Sequence, residues 1–180
     1  MPTRNSIARY TVGVTVIAAY WTKNSYAIGA DSGAYDMDSD LLQRITGPKV
    51  WTYNDVLFGA AGTQRAIDVG AGLTLTDPYA VAAAMLEASI QGDWDMLMVR
   101  RDGVWEINSD GSVFHFKEPY SAIGAGQATA LGALAMYNDL ATNQASIPES
   151  ARSAVSHSLM AASQHTASCV PPHKVISHFL

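Results

Sequence analysis

The segment from Thr11 to Tyr20 limits the possible folds more than any other part of the sequence. It reads Thr-Val-Gly-Val-Thr-Val-Ile-Ala-Ala-Tyr, and such a run of β-branched and apolar residues predicts a buried strand. Lys23-Asn24 is a turn, and Ser25–Asp31 is predicted to be the strand that returns from it. The first structured part of the chain is therefore expected to be a hairpin in the protein interior.

Capping and turn residues mark the ends of several later helices and strands. Asp77 followed by Pro78 predicts a helix start, with aspartate as the N-cap and proline at the first helical position. Asp102-Gly103 and Asp110-Gly111 predict tight hairpin turns, which need a positive φ. Residues 33–48 are expected to form a polar loop. The other predicted strands are 49–52, 56–60, 95–100, 104–108, 112–116, 120–124 and 173–178, and the predicted helices are 63–73, 77–90, 127–140 and 148–163.

The order of these elements predicts the fold class. Blocks of strands alternate with pairs of helices, which favours an α+β layered fold over a parallel βαβ sheet. We expect a four-layer αββα sandwich, in which two antiparallel sheets face each other and helix pairs cover their outer sides.

Charge is distributed unevenly along the 180 residues. The chain has 11 Lys+Arg and 16 Asp+Glu, a net charge of −5 and 48% apolar residues, a composition that excludes a disordered chain. The acidic balance and the lack of a basic cluster argue against nucleic-acid binding. The 62 residues from 119 to 180 contain only four charges, at Asp139, Glu149, Arg152 and Lys174. This part is expected to be buried, in the core or against a neighbouring subunit.

Two absences suggest a cytoplasmic protein. No run approaches the roughly 20 apolar residues of a membrane span, and the first ten residues lack the apolar core of a secretory signal. Cys169 is the only cysteine, so no intramolecular disulfide can form. It is either a small core residue or a nucleophile.

Three polar residues stand at positions where a hydrolase could use them. Thr15 lies in the first strand, Asp31 ends the returning strand 16 residues later, and Lys49 opens the next predicted strand. A lysine beside a carboxylate can keep its charge and assist the deprotonation of a hydroxyl. The residues alone leave open that Thr15 is an ordinary strand residue, Asp31 a turn residue and Lys49 a surface lysine.

Five phrases in this order resemble the proteasome β-type and HslV-type N-terminal-nucleophile (Ntn) peptidases, most closely the small HslV-like proteins of phages and bacteria. The resemblance covers roughly residues 14–178. The phrases are Val14-Thr15-Val16-Ile17-Ala18-Ala19 with Ala27-Ile28-Gly29-Ala30-Asp31-Ser32, then Pro48-Lys49-Val50, Val56 to Gly62, Ala122-Ile123-Gly124-Ala125-Gly126, and Ala161 to Ile176.

The resemblance implies a threonine peptidase without metal or organic cofactor, acting on peptides or unfolded protein. It implies that Thr15 is the nucleophile and that its own free α-amine relays the proton. Asp31 and Lys49 would set the electrostatics of Thr15, the Gly62 N–H would stabilise the oxyanion, and Ser168 would be a supporting residue. It further implies a homo-oligomer of rings, in the cytoplasm or in a phage particle, with an unfoldase or particle protein as a possible partner.

Some departures from the family pattern concern activity rather than fold. Fourteen residues precede Thr15, and Val14 stands where family members with a leader usually have glycine. Ala125 replaces the serine of a Gly-Ser-Gly phrase, and His165 replaces the acid of an Asp-x-x-Ser motif that ends here at Ser168. Residues 1–14 are therefore either a leader that is removed from the single domain 15–180, or a permanent contact arm of an inactive structural or assembly protein. Thr11, 20 residues before Asp31, fits the family spacing worse as a nucleophile.

Metal binding has little support in the sequence. The five histidines lack close ligand spacing, and residues 173 and 178 would point to opposite faces of a strand. The aspartates at 36, 38 and 40 lack the glycine and glutamate of a calcium loop, so a solvated loop is expected there.

Overall fold

The computed structural model describes residues 10–12, 15–36, 41–44, 47–143, 150–167 and 169–180. Strands and helices alternate in blocks, as the sequence predicts. The strands are β1 Tyr10–Val12, β2 Val16–Trp21, β3 Ser25–Ala30, β4 Gly33–Asp36, β5 Leu41–Arg44, β6 Val50–Tyr53, β7 Val56–Thr63, β8 Asp95–Arg100, β9 Gly103–Asn108, β10 Val113–His115, β11 Tyr120–Gly124 and β12 Lys174–Phe179. The helices are α1 Gln64–Gly72, α2 Pro78–Glu87, α3 Gln127–Asn143 and α4 Ala151–His165.

The strands form two antiparallel sheets. The first sheet has the order β10-β9-β8-β7-β1-β4-β5, and β6 also pairs with β7. The second sheet has the order β11-β2-β3-β12. The returning strand predicted at 25–31 is therefore confirmed as β3, which pairs with β2 in the middle of the second sheet.

Three apolar layers hold the sandwich together. One lies between the first sheet and helices α1 and α2, and it includes Met85, Met96 and Met98. The second fills the space between the two sheets, and the third lies between the second sheet and helices α3 and α4. Strands β2 and β3 are buried on both faces because they have a sheet on one side and helices on the other. The four-layer αββα arrangement is confirmed.

Local signals in the sequence correspond to local structure. The Asp77 carboxylate accepts a hydrogen bond from the Ala80 N–H at 2.9 Å, and Pro78 is the first residue of α2. Gly103 and Gly111 have φ values of +131° and +84°, the left-handed backbone that their hairpin turns require.

Two predictions about the first 50 residues are wrong. The expected single strand 11–20 is two strands in different sheets, because β1 pairs with β4 and β7 whereas β2 pairs with β3 and β11. The expected loop 33–48 contains the antiparallel strands β4 and β5. Pairing with β1 and with each other satisfies the backbone of these polar segments, a tertiary effect that local composition does not reveal.

The outer helix pair α3 and α4 packs on the second sheet through small and aliphatic residues such as Ala130, Leu134, Ala154, Leu159 and Ala162. Its outer side is nearly free of charge, because Asp139 and Arg152 are the only charged residues of the two helices. Met136 and Met160 are 63% and 50% exposed there. None of the helices in the described part of the chain has the length and apolar character to span a bilayer.

Candidate active site

The ends of four strands meet at one end of the sandwich and bring together the residues that the sequence predicts. Thr15 directly precedes β2 and Asp31 directly follows β3. The two residues lie at the same end of the β2–β3 ladder, because Ile17 pairs with Ala30. Lys49 directly precedes β6 and is held next to β7 by a hydrogen bond from the Ala60 N–H to the Lys49 carbonyl at 3.1 Å. The chain thus gathers the three residues from separate strands.

Asp31 and Lys49 form an ion pair in the protein interior. The Lys49 Nζ lies 2.9 Å from Asp31 Oδ1, and the two residues are 2% and 4% exposed. Lys49 also donates to the Gly33 carbonyl. Burial lowers the pKa of the Lys49 ammonium, while attraction to Asp31 opposes that shift. Its burial excludes the alternative that Lys49 is a surface lysine.

The Asp31 carboxylate is also held by three backbone N–H groups. Its Oδ1 accepts from Val16 at 3.1 Å, and its Oδ2 accepts from Gly33 at 2.9 Å and Val170 at 3.2 Å. Four donors, one of them a cation, compensate for removing the charge from water. Because Val16 follows Thr15, the carboxylate fixes the backbone beside the Thr15 side chain.

The Thr15 hydroxyl has an unusual environment. Thr15 is 1% exposed, and its Oγ1 has no hydrogen-bond partner among the described residues. A buried hydroxyl without a partner costs on the order of 1–3 kcal/mol. Trp51 Nε1 is the one other buried side-chain atom in this condition within the described part of the chain. The fold therefore holds a polar group at a position where packing alone would favour an apolar one.

Gly124 allows the second sheet to close around Thr15. It pairs with Val16 and has a φ of +89°, and a Cβ at this position would collide with the Thr15 carbonyl oxygen. The methyl group of Ala61 lies 3.5 Å from the same point. Only glycine satisfies both the backbone angle and the close approach.

Gly62 lies at the end of β7, next to Ala61. Its φ is +113°, and a Cβ there would lie 2.5 Å from the Asp93 carbonyl oxygen and 2.7 Å from the Trp94 Cα. In the pairing of β1 with β7, Gly62 stands opposite Val12. A glycine is thus required where the resemblance implies a backbone oxyanion donor.

Solved structures share this architecture. HslV from Trypanosoma brucei matches with a TM-score of 0.69 and 14% identity, over 90% of this chain and 98% of that chain. Anbu, an ancestral β-subunit from Yersinia bercovieri, matches with a TM-score of 0.70 and 13% identity, over 91% of this chain and 81% of that chain. The chain has the proteasome-type Ntn-hydrolase fold.

A third solved structure with this fold is a complex with a small molecule. BPH from Thiobacillus denitrificans, in complex with epoxomicin, matches with a TM-score of 0.69 and 18% identity, over 92% of this chain and 98% of that chain. A scan against protein-family models and a search of curated proteins give no match. The matches to solved structures confirm the proteasome-type fold. The closer resemblance to phage proteins stays a prediction.

The remaining positions singled out by the sequence lie only partly within the described residues. Ser168 falls outside the described residues. Ala125 is exposed in the turn between β11 and α3, and His165 is exposed at the last position of α4. Of the aspartates at 36, 38 and 40, only the first lies in the described part, where its backbone belongs to β4. Within that part, no group of three or more His, Cys, Asp or Glu side chains could hold a metal ion.

Cys169 and His173 are neighbours of the site that sequence reasoning did not place there. Cys169 is 5% exposed in the layer under α4, and its Sγ lies 3.9 Å from His173 Nε2. Burial, with a smaller effect from the Asp31 charge, raises the pKa of the Cys169 thiol to about 12. Burial also lowers the pKa of His173. The thiol is therefore protonated and unreactive at neutral pH, as expected of a core residue.

The Val170 N–H could not have been found from the sequence. Its contribution is a backbone hydrogen bond to Asp31 across 139 positions, which any residue except proline could make.

Proposed function

We propose that this protein is a proteasome/HslV-like threonine-type peptidase subunit, with residues 15–180 as its domain and residues 1–14 as a leader. One observation carries the proposal: the Asp31 carboxylate, buried and paired with Lys49, also accepts a hydrogen bond from the N–H group directly after Thr15. The carboxylate that is paired with Lys49 thus fixes the backbone that follows Thr15, and the Thr15 hydroxyl has no hydrogen-bond partner within the described part of the chain. A nucleophile needs these surroundings, whereas an ordinary strand threonine does not.

The proposed chemistry begins after cleavage of the Val14–Thr15 bond. The freed α-amine of Thr15 takes the proton from its own Oγ1, which attacks the carbonyl carbon of a peptide. The Lys49 charge favours this deprotonation, and the Gly62 N–H stabilises the oxyanion. The amine half of the substrate leaves with the proton, and water hydrolyses the ester on Thr15 to regenerate the enzyme.

Intact-mass measurement tests the first requirement. We expect the purified protein to lose the mass of residues 1–14 and then to gain one inhibitor mass per chain with epoxomicin, the compound bound in the BPH structure. Thr15→Ala should keep its full mass and gain none. A stable full-length mass without labelling in the unsubstituted protein would overturn the peptidase proposal.

We further propose that the subunit works in a homo-oligomer in the cytoplasm, without a cofactor. The outer side of α3 and α4 supports assembly, because it exposes methionines and carries only two charges. A surface of this composition is unfavourable in an isolated soluble subunit. An unfoldase or a particle protein remains the proposed partner, and peptides or unfolded protein the proposed substrates.

A second candidate is an inactive structural or assembly protein that keeps residues 1–14. Two observations favour it: residues 10–12 form a strand within the first sheet, and Ala125 lacks the hydroxyl of the family pattern. Deletion of residues 2–10 separates the candidates. Loss of assembly, measured by light scattering, supports the contact arm, whereas unchanged assembly excludes it.

A further inference from the structure

Val170 is bound through both of its backbone polar groups by two consecutive residues, Asp31 and Ser32. Its N–H donates to Asp31 Oδ2 at 3.2 Å. Its carbonyl oxygen accepts from the Ser32 N–H at 2.9 Å and from the Ser32 hydroxyl at 3.0 Å. The Ser32 side chain therefore holds the residue whose N–H donates to the Asp31 carboxylate.

The Ser32 hydroxyl is a second donor to a carbonyl that already has a backbone partner. A carbonyl oxygen has two lone pairs and can accept both hydrogen bonds. The bond from the Ser32 N–H alone would join the two segments. The added hydroxyl restricts how the Val170 residue can turn, because both donors belong to one residue of the corner between β3 and β4.

The segment that carries Val170 crosses from the end of α4 to the start of β12. On its first side, the buried Cys169 donates its N–H to the Thr166 carbonyl at 3.1 Å. On its other side, Pro171 and Pro172 have no N–H group to donate. The contacts with Ser32 therefore matter more for the position of Val170 than they would in a segment with donors at every residue.

The Val170 N–H helps to set the orientation of the Asp31 carboxylate. Oδ2 accepts from Val170 and from the Gly33 N–H, while Oδ1 accepts from Lys49 Nζ and from the Val16 N–H. The outer torsion of an aspartate side chain has only a broad intrinsic preference, so these donors fix it. Loss of the Val170 donor would let the carboxylate rotate and would change its contact with Lys49.

We infer that Ser32 is a positioning residue for the reaction at Thr15. Its hydroxyl acts through Val170 on the Asp31 carboxylate, and the carboxylate acts on Lys49 and on the backbone that follows Thr15. That Ser32 holds Val170 follows from the hydrogen bonds. The consequence for the reaction rests on the proposed function.

Two isosteric substitutions in the full-length protein isolate the hydroxyl. Ser32→Thr keeps it, and Ser32→Val has the same shape without it. The probe is epoxomicin, with labelling followed by intact mass. We expect Ser32→Thr to react within about two-fold of the parent rate, and Ser32→Val to have a maximal labelling rate about 10-fold lower, because small misplacements near a nucleophile are costly. The epoxomicin concentration that gives half of the maximal rate should change by less than about two-fold, since binding is not affected. Where the added bulk prevents folding, Ser32→Ala replaces Ser32→Val and the parent replaces Ser32→Thr.

Amide hydrogen exchange in fragments that cover residues 166–173 reports on the hydrogen bond itself. The two prolines leave few amides in this segment, so the Val170 amide can be resolved. We expect it to exchange about 10-fold faster in Ser32→Val than in Ser32→Thr, while the amides of β2 and β3 stay protected. Unchanged exchange at Val170, or equal maximal labelling rates in the two variants, would overturn the positioning role. Lost protection of β2 and β3 together with weaker epoxomicin binding would overturn it too, since the effect would then be on the fold as a whole.

The parent protein separates this inference from the proposed function. A parent that epoxomicin does not label overturns the peptidase proposal, and the exchange rates still decide whether Ser32 holds the Val170 N–H on Asp31. A labelled parent with equal rates in Ser32→Thr and Ser32→Val overturns the positioning role and leaves the peptidase standing.

Discussion

Lys49 Nζ lies 2.9 Å from Asp31 Oδ1, and both side chains are almost completely removed from solvent. A buried pair of this kind is held by geometry rather than by strong net attraction, because desolvation offsets most of the Coulomb energy. Here the carboxylate has three further donors, so loss of the lysine would leave a buried anion with neutral partners only. The pair therefore links the stability of the fold to the electrostatics beside Thr15.

Removal of one partner should be strongly destabilising. We expect Lys49→Ala to lower the free energy of unfolding by about 3–5 kcal/mol, because it leaves the Asp31 charge buried without its cation. Urea denaturation measures the change. Lys174→Ala, at an exposed lysine on β12, should change stability by less than about 0.5 kcal/mol. Equal small losses in both variants would contradict a structural role for the pair.

Two glycines should respond in opposite ways to alanine. Gly124→Ala places a methyl group against the Thr15 carbonyl at a positive φ, and we expect a loss of about 2–4 kcal/mol together with loss of peptidase activity. Gly132 lies within α3, where an added methyl meets no atom within 4 Å. Gly132→Ala should stabilise the protein by about 0.5–1 kcal/mol. Thermal unfolding of both variants provides the comparison, and a mild effect at Gly124 would contradict the close approach.

The unpartnered hydroxyl of Thr15 should be worse for stability than a methyl group. We expect Thr15→Val to abolish peptidase activity yet to be about 1–2 kcal/mol more stable than the uncut parent chain, because it removes a buried polar atom that has no partner among the described residues. Thr22 is the matched control, since its buried Oγ1 accepts from the Ser25 N–H at 2.9 Å. Thr22→Val should destabilise by about 1–3 kcal/mol. Urea curves that shift in the same direction for both variants would contradict this interpretation of Thr15.

Cys169 should be nearly inert in the native protein. A thiol pKa of about 12 leaves roughly 1,000-fold less thiolate than in an unperturbed cysteine. Reaction with a chromogenic disulfide should therefore be slow in buffer and fast in denaturant. Cys169→Ala should retain any peptidase activity of the parent protein. Rapid native labelling, or loss of activity in this variant, would argue instead for a nucleophilic cysteine.

An acidic group on β8 and β9 should make stability depend on pH. The Asn108 amide nitrogen lies 3.0 Å from Glu106 Oε1 and 3.2 Å from Asp95 Oδ1 when it is oriented to donate to both. Burial raises the pKa of Glu106, and the Asp95 charge adds to that shift. The native chain then binds more protons than the unfolded chain between the two pKa values of Glu106. Stability should therefore fall as the pH rises through this window.

Glu106→Gln should remove that penalty. We expect a gain of a few tenths of a kcal/mol up to about 1 kcal/mol at pH 7, at the low end because the side chain is half exposed and screened. The gain should shrink at pH 4, where the parent carboxyl is largely protonated. Glu118→Gln, at an exposed glutamate, should show no such trend in thermal unfolding. A gain for Glu106→Gln that is equal at both pH values would contradict the titration.

The sequence predicts correctly those helices and strands whose ends are set by neighbouring residues in the chain. Asp77 and Pro78 start α2 as expected, and β11 occupies the predicted residues 120–124, because a cap and a short apolar run carry their own signal. The division of residues 11–20 between two sheets was not predictable in this way. Both halves have strand composition, and only their partners, β4 and β7 for one and β3 and β11 for the other, distinguish them.

In the candidate site, too, some features could be predicted from the sequence and others depend on tertiary contacts. Spacing and resemblance singled out Thr15, Asp31, Lys49 and Gly62, and the structure places them at neighbouring strand ends. The other three donors to the Asp31 carboxylate are the backbone N–H groups of Val16, Gly33 and Val170, and nothing in the identity of these residues indicates that role. That Thr15 Oγ1 has no hydrogen-bond partner within the described part of the chain is likewise a property of packing, since it depends on every residue that surrounds it.

The cost of the Thr15 hydroxyl also has an evolutionary consequence. A descendant freed from any need for the hydroxyl would gain stability through a change from threonine to valine, and selection for foldability alone would favour that change. Retention of threonine at this position among relatives would therefore record selection for chemistry, whereas drift to valine or alanine would mark lineages that kept the scaffold and abandoned the reaction.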